Sequence, residues 1–172
     1  PPPLPEFRVK ESSPFTYTAV DFAGPLYIRS QGNSQKVWIC LFTCCVCRAI
    51  HLEILLDMTT TSFLRCVKRF AARRGLPDNA KTFKSAARGL KVICNNPEVL
   101  KYFSLTGIEW NFNLEKAPWW GGLFERMIRS TKRCLRKVVR RASFTYDEMH
   151  TAVVEIEAIV NSRPLSYVAT DD

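Results

Sequence analysis

Residues 37–46 constrain the fold more than any other segment, because nearly all of them are apolar. Successive side chains of a strand point to opposite faces, so the stretch Val37-Trp-Ile-Cys-Leu-Phe would be apolar on both faces. Such a strand must be covered on both sides. The run is also too short to cross a bilayer and is closed by Arg48. It therefore predicts an interior strand of a sheet that carries helices.

Further strands are predicted on either side of this run. Residues 16–22 are β-branched and aromatic and precede Gly24-Pro25, a turn signal, so they predict a strand with Asp21 near its end. A second turn is predicted at Gly32-Asn33. The remaining predicted strands are residues 27–29, 36–47, 47–56 and 108–112.

The first helices are predicted downstream of these strands. One lies between Thr59, an N-cap candidate, and Gly75, a C-cap candidate, with apolar residues at helical spacing between them. Residues 84–105 predict one or two helical pieces broken at Asn95-Asn96-Pro97.

Two more helices complete the pattern. One covers residues 123–141, after the predicted loop Pro118-Trp-Trp-Gly-Gly, and the other opens with a capping box of Thr145 and Glu148 and ends before Pro164. The last helix is expected to bury Met149, Val153, Ile156 and Val160. Strands followed by helices, with one later strand, predict an α/β fold in which helices pack on a mixed sheet.

Length and charge narrow the class of protein. A chain of 172 residues that is 47% hydrophobic can bury one core without disulfides. Residues 15–165 are interpreted as one domain, residues 1–14 as a proline-rich linker that suggests a further domain upstream, and residues 166–172 as a second linker. The 25 Lys and Arg residues against 16 Asp and Glu give a net charge of +9, which favours polyanionic partners, nucleic acid first.

Cysteine usage indicates a reducing compartment. The seven cysteines are odd in number, and Cys44, Cys45 and Cys47 crowd one apolar run, unlike a disulfide framework. The spacing of Cys40, Cys44, Cys45 and Cys47 does not suit a metal site, and these four are interpreted as small buried side chains. His51 and His150 are interpreted as structural. We expect an intracellular protein with no membrane segment.

The segment 121–141 carries the strongest functional pattern. Glu125 is followed at +4, +7 and +11 by Arg129, Lys132 and Arg136, which places all four on one helix face. Eight of the sixteen residues 126–141 are Lys or Arg. The opposite stripe, expected to be buried, consists of Leu123, Met127, Cys134, Leu135 and Val138. The basic face is either a solvated surface or a polyanion site, and repulsion between its neighbouring charges makes a polyanion attractive.

The chain resembles the catalytic core of integrases from long-terminal-repeat retroelements, most closely the Bel/Pao retrotransposon class. The resemblance runs from about Phe15 to Leu165, and the segment before Glu125 is its most specific part. The matching segments are Tyr17-Thr-Ala-Val-Asp-Phe-Ala-Gly-Pro-Leu, Arg73-Arg-Gly-Leu-Pro, Asp78-Asn-Ala-Lys-Thr-Phe, Ala117-Pro-Trp-Trp-Gly-Gly-Leu-Phe-Glu-Arg and Asn161-Ser-Arg-Pro-Leu.

This resemblance implies a ribonuclease H-like fold with a mixed five-stranded sheet. It also implies a catalytic and metal-binding triad of Asp21, Asp78 and Glu125, which would hold two Mg²⁺ or Mn²⁺ ions. Two ions spaced about 3.5–4 Å apart can activate the attacking oxygen and stabilise the leaving one. The implied activity is polynucleotidyl transfer, in which DNA 3′ ends are trimmed and then joined to target DNA during DNA integration.

The resemblance further implies contacts to double-stranded DNA, both element ends and target. The DNA-binding residues expected from the resemblance and the basic helix are Asn79, Arg126, Arg129, Lys132, Arg133 and Arg136. Gly121 and Gly122 match a mobile loop before the glutamate, with Trp119 and Trp120 packing that loop or stacking near DNA. A homo-oligomer and a nuclear location are expected.

The chain departs from the family between Pro77 and Asp78. The family places an apolar strand and a serine there, and that strand would run beside the Asp21 strand and deliver the second carboxylate. Here the two residues are adjacent, so the sheet is expected either to keep five strands or to lack the strand before Asp78. The alternatives are therefore an active integrase core, a catalytically inactive integrase-derived domain for DNA binding or oligomerisation, and a nuclease of the same fold.

Overall fold

The computed structural model describes residues 11–76, 81–85, 88–111, 118–140 and 143–163. They form one sheet in the order β3-β2-β1-β4-β5. Strands β1, β2 and β3 are antiparallel neighbours, whereas β4 runs parallel to both β1 and β5. The strands are β1 (Tyr17–Ser30), β2 (Asn33–Cys44), β3 (Ile50–Leu55), β4 (Lys81–Lys84) and β5 (Ile108–Asn111). The predicted mixed, five-stranded α/β arrangement is confirmed.

Helices flank the sheet, in the order that the sequence predicts. They are α1 (Thr60–Arg74), α2 (Arg88–Cys94), α3 (Pro97–Thr106), α4 (Pro118–Val139) and α5 (Tyr146–Asn161). The predicted caps are present, because Thr59 and Gly75 cap α1, and Thr145 and Glu148 form the capping box of α5. The four residues expected to be buried on α5 are all buried.

The core lies on both faces of the sheet, and β2 contributes to each. Its Phe42 stacks on Phe70 of α1, with ring centroids 4.1 Å apart, on the face that also receives residues of α2 and α3. Its Ile39 and Leu41 point to the other face, where they meet Leu135 of α4 and residues of α5. This alternation explains why residues 37–46 are apolar throughout.

Strand β1 differs from its prediction, because it continues through Gly24-Pro25 instead of turning there. The register against β2 shifts between Ala23 and Leu26, as at a β-bulge. Gly24 has φ +132°, and a Cβ at this position would lie 3.0 Å from Cδ1 of Trp38. Glycine is required here because Trp38 of the adjacent strand approaches the backbone closely. A Gly-Pro pair in the sequence does not indicate such a contact.

The β1–β2 turn is also one residue earlier than predicted. Gln31 and Gly32 both have positive φ and form the two-residue loop, so β2 begins at Asn33. Two consecutive positive φ values match the twist of a hairpin.

Helix α4 begins earlier than predicted and buries a slightly different stripe. Its backbone is helical from Pro118, so the loop predicted at residues 118–122 is wrong; proline is well suited to a first helical turn. Met127 and Leu135 are buried as expected and Cys134 is partly buried, but Val138 is 37% exposed. Val139 packs on the core in its place.

Strand β4 was missed by the sequence prediction, which assigned no strand between residues 76 and 107. It occupies the position beside β1, where Tyr17 pairs with Thr82 and Ala19 pairs with Lys84. It therefore begins after the Asp78-Asn79 segment, and its carboxyl end carries Lys84 and Ser85. Asp78 and Asn79 themselves lie outside the described residues.

The free edge of β3 is covered by side chains. Asn161 accepts a hydrogen bond from the Ile50 N–H and donates one to the Ile50 carbonyl, both at 2.8 Å, and Glu157 accepts from the Leu52 N–H at 2.8 Å. Arg69 donates to the Ile54 carbonyl at 3.2 Å. These contacts satisfy backbone groups that an edge strand otherwise exposes to other chains.

A buried charge network lies beneath this edge. The Glu53 carboxylate accepts hydrogen bonds from His51 Nε2 at 2.8 Å, Arg69 Nε at 2.7 Å and Arg73 Nη1 at 3.1 Å. Arg74 donates to His51 Nδ1 at 2.9 Å, so His51 carries its proton on Nε2. Burial raises the pKa of Glu53, but the bonds from His51 and Arg69 outweigh it and the pKa lies below its usual value.

Candidate nucleic-acid interface

One side of α4 presents basic side chains to solvent. Of the residues predicted to bind DNA, Arg126, Arg129, Arg133 and Arg136 are exposed, and Lys132 is partly buried. Glu125 is exposed on the same side, two turns before Lys132, or about 10 Å along the helix axis. The apolar stripe of α4 faces the sheet, so this polar side is held outward by core packing.

Asp21 and Lys132 are brought together by the packing of α4 on β1. The Lys132 Nζ lies 2.7 Å from Asp21 Oδ2, and about a quarter of each side chain is exposed. The other carboxylate oxygen, Oδ1, accepts the N–H of Phe22 at 2.8 Å. Ile128, one turn earlier on α4, packs against Ala19. Both oxygens of Asp21 are therefore engaged by groups of this chain.

The strand beside Asp21 ends in a lysine. Lys84 of β4 lies opposite Ala19 of β1 and is only 6% exposed. Burial lowers its pKa, partly offset by the nearby Cys45. The strand beside β1 therefore follows Asp78 in the chain and ends in a buried lysine.

The described residues do not by themselves fit a two-ion site. They supply two carboxylates of the predicted triad, Asp21 and Glu125, and Asp21 is already paired with Lys132. Among the residues that the structure describes, no group of three or more His, Cys, Asp and Glu residues is arranged to hold a metal ion. Hard divalent ions are held by several oxygen ligands, more than the described residues supply at this point.

A groove extends from this point between β1 and α4. Its first part, about 300 Å³, is lined by Phe22, Gly24, Leu26, Lys132 and Arg136, among others. A second part of about 660 Å³ shares Leu26 and Arg136 with the first and adds Tyr27 and Arg140. Lys132 and Arg136 of α4, and Arg140 directly after its end, follow one another every four residues, or about every 6 Å along the helix axis.

Arg140 and Tyr27 were not among the predicted site residues. Arg140 lies four residues after Arg136, so the same helical periodicity could have identified it. Tyr27 is 53% exposed next to the groove, and nothing in the sequence distinguishes it from any other tyrosine in a strand. Lys84 lies beside β1 because β4 pairs there, and no pattern in the sequence indicates that pairing.

No helix in the described part of the chain has the length and apolar character needed to cross a membrane. Comparison with protein-family models and with characterised proteins gave no match for this chain.

Proposed function

We propose that this chain is a retroelement integrase core domain of ribonuclease H-like fold that binds double-stranded DNA through the polar side of α4. The observation that carries the proposal is the exposed basic side of this helix next to Asp21, together with a net charge of +9. A surface of this charge attracts phosphates and releases their counterions. The mixed sheet with helices on both faces is consistent with that fold.

The groove gives the proposed interface a direction. It starts at Lys132, next to Asp21, and continues past Arg136 to Arg140. A phosphate backbone that follows α4 would meet one cation about every 6 Å, which is nearly two nucleotide rises of 3.4 Å. We infer that Arg136 and Arg140 position the DNA backbone and do not read base sequence, whereas Lys132 is held by Asp21.

A catalytically inactive form of this domain is the second candidate, and the position of β4 favours it. The strand beside β1 follows Asp78 and ends in Lys84, while Lys132 neutralises Asp21. Of these two cations, Lys132 engages a carboxylate oxygen of Asp21 that a metal ion would need. We therefore propose that the chain binds DNA without joining it. Oligomerisation and a nuclear location, which the resemblance implies, stay predictions.

The salt dependence of DNA binding tests the proposed interface. Fluorescence anisotropy with a labelled duplex should give an affinity that falls steeply with salt, with a log–log slope of about −3 if Arg129, Arg136 and Arg140 each contact one phosphate. The same titration with a neutral peptide-backbone analogue of the duplex should show no binding. A slope near zero with duplex DNA would remove the proposal.

Removing the Asp21 charge should strengthen DNA binding. Asp21→Asn frees the Lys132 ammonium, which can then contact a phosphate, so the affinity should rise by up to about eightfold at 0.1 M salt. Glu155→Gln, an equal charge change on the exposed part of α5, is the matched control and should have a smaller effect. If Asp21→Asn weakens binding beyond this control, Asp21 contributes to the DNA complex and the inferred role of the ion pair is wrong.

A further inference from the structure

Four cysteines lie in the second half of β2 and in the turn that follows it, and they are not equivalent. Cys40 and Cys45 are buried, and burial raises the pKa of both thiols, that of Cys45 to about 12. These two fit the interpretation as small buried side chains. Cys44 is equally buried, but it forms a Cys-X-X-Cys pair with Cys47, which is only partly buried.

The Cys44 sulfur is an acceptor for several hydrogen bonds. The Phe15 N–H donates to it at 3.1 Å, and the Cys47 N–H donates at 3.4 Å. The Cys47 thiol also donates to it, and these bonds outweigh burial and lower the pKa of Cys44 to about 6. The same thiol hydrogen bond, with burial, raises the pKa of Cys47. Donors that converge on a sulfur stabilise its thiolate, as in redox-active Cys-X-X-Cys motifs.

The turn itself holds the two thiols together. The Arg48 N–H donates to the Cys44 carbonyl at 3.0 Å, and Arg48 adopts a left-handed φ of 65°. Cys47 is half-buried and reaches solvent, whereas Cys44 is 1% exposed. Cys47 is therefore the thiol that a small molecule can reach, with Cys44 directly behind it.

We propose that Cys44 and Cys47 form a reversible dithiol–disulfide pair that exchanges with small disulfides of the glutathione class. The inference does not depend on DNA binding or on the integrase resemblance. It assigns different tasks to the two residues: Cys47 reacts with the small disulfide, and Cys44 first accepts its proton and then closes the protein disulfide.

Exchange begins when the Cys47 sulfur attacks glutathione disulfide. As the S–S bond of glutathione disulfide breaks, the Cys47 proton moves along the hydrogen bond to the Cys44 thiolate. A mixed disulfide forms on Cys47, and the departing glutathione thiolate takes the proton from Cys44. The Cys44 thiolate then attacks the Cys47 sulfur, and the second glutathione leaves as a thiolate that water protonates. Two cysteine sulfurs are oxidised and one glutathione disulfide is reduced.

The full chain should be incubated with glutathione disulfide at pH 7, alkylated under denaturing conditions and digested with trypsin, and the peptide of residues 37–48 analysed by mass spectrometry. We expect a Cys44–Cys47 disulfide that dithiothreitol reverses. In Cys44→Ser, a glutathione adduct should accumulate on Cys47, because the second thiol is missing. Cys45→Ala, the matched control next to Cys44 in sequence, should leave the disulfide unchanged.

Several results would contradict the proposed disulfide. A disulfide that includes Cys45, or a Cys47 that stays reduced while the half-buried Cys134 of α4 is glutathionylated, would overturn the proposal. Circular dichroism checks that each variant is folded. Should Cys44→Ser unfold, Cys47→Ser serves instead: it should show neither a disulfide nor an adduct on the buried Cys44, and modification of Cys44 in that variant would also contradict the assignment.

Discussion

Reversing Arg129 and Arg136 to glutamate is expected to weaken duplex DNA binding by about sixty-fold at 0.1 M salt. Each lost phosphate contact lowers the magnitude of the log–log salt slope by about 0.9. At 0.1 M salt this corresponds to an about eightfold loss of affinity per contact. Both residues are exposed on the polar side of α4, away from the buried stripe, so the helix should remain folded. Anisotropy titrations at several salt concentrations measure the affinity and the slope together.

The control for this pair has the same change in net charge on the other face of the sheet. Arg65 of α1 and Lys101 of α3 are exposed there, and their reversal to glutamate should alter affinity only through the overall field. If both double variants weaken binding equally, the effect arises from net charge. The interface would then not lie on α4.

Glu53→Ala is expected to lower the free energy of unfolding by about 3 kcal/mol at pH 7. The substitution leaves His51, Arg69 and Arg73 without their buried carboxylate. Breaking a buried ion pair costs about 3–5 kcal/mol, and the lower end applies because Arg69 and Arg73 are 41% and 49% exposed and can return to water. Urea unfolding followed by circular dichroism gives the difference, with Glu155→Ala on the exposed side of α5 as a control that should change little.

The effect of Glu53 should depend on pH with a defined sign. Its pKa in the folded protein lies below the usual 4.5, so its stabilising contribution is fully present above about pH 4.5. The contribution is lost as the pH falls through the folded-state pKa and the carboxylate is protonated. The difference between wild type and Glu53→Ala should therefore shrink in strongly acidic solution. A difference that is constant from pH 7 to pH 3 would contradict the role given to the charge.

Local sequence signals predicted the elements whose stability is decided within a few residues. The capping box of Thr145 and Glu148 and the caps Thr59 and Gly75 depend on neighbours in the chain, and all are present. The two-sided apolar pattern of β2 likewise revealed an interior strand. The bulge at Gly24 was not predictable, because the reason for glycine is the approach of Trp38 from the adjacent strand.

In the candidate site too, features set by neighbours in the chain were predictable and features set by long-range packing were not. Helical spacing was enough to place Arg129, Lys132 and Arg136 on one side of α4. The ion pair between Lys132 and Asp21 joins residues 111 positions apart, so it depends on how α4 packs on β1. The position of β4 could not be predicted for a related reason. Lys81–Lys84 contains only four residues, and its pairing with β1 and β5 decides its structure more than its own composition does.

A DNA-joining assay with the unmodified chain tests most directly the proposal that this chain binds DNA without processing it. A branched substrate that mimics a joined product should be incubated with the chain and Mg²⁺ or Mn²⁺, at a protein concentration where anisotropy shows that the substrate is bound. We expect bound substrate and no resolved or joined product. Metal-dependent product from the unmodified chain, abolished by Asp21→Asn or Asp78→Asn, would contradict the account and assign the domain to the active integrases.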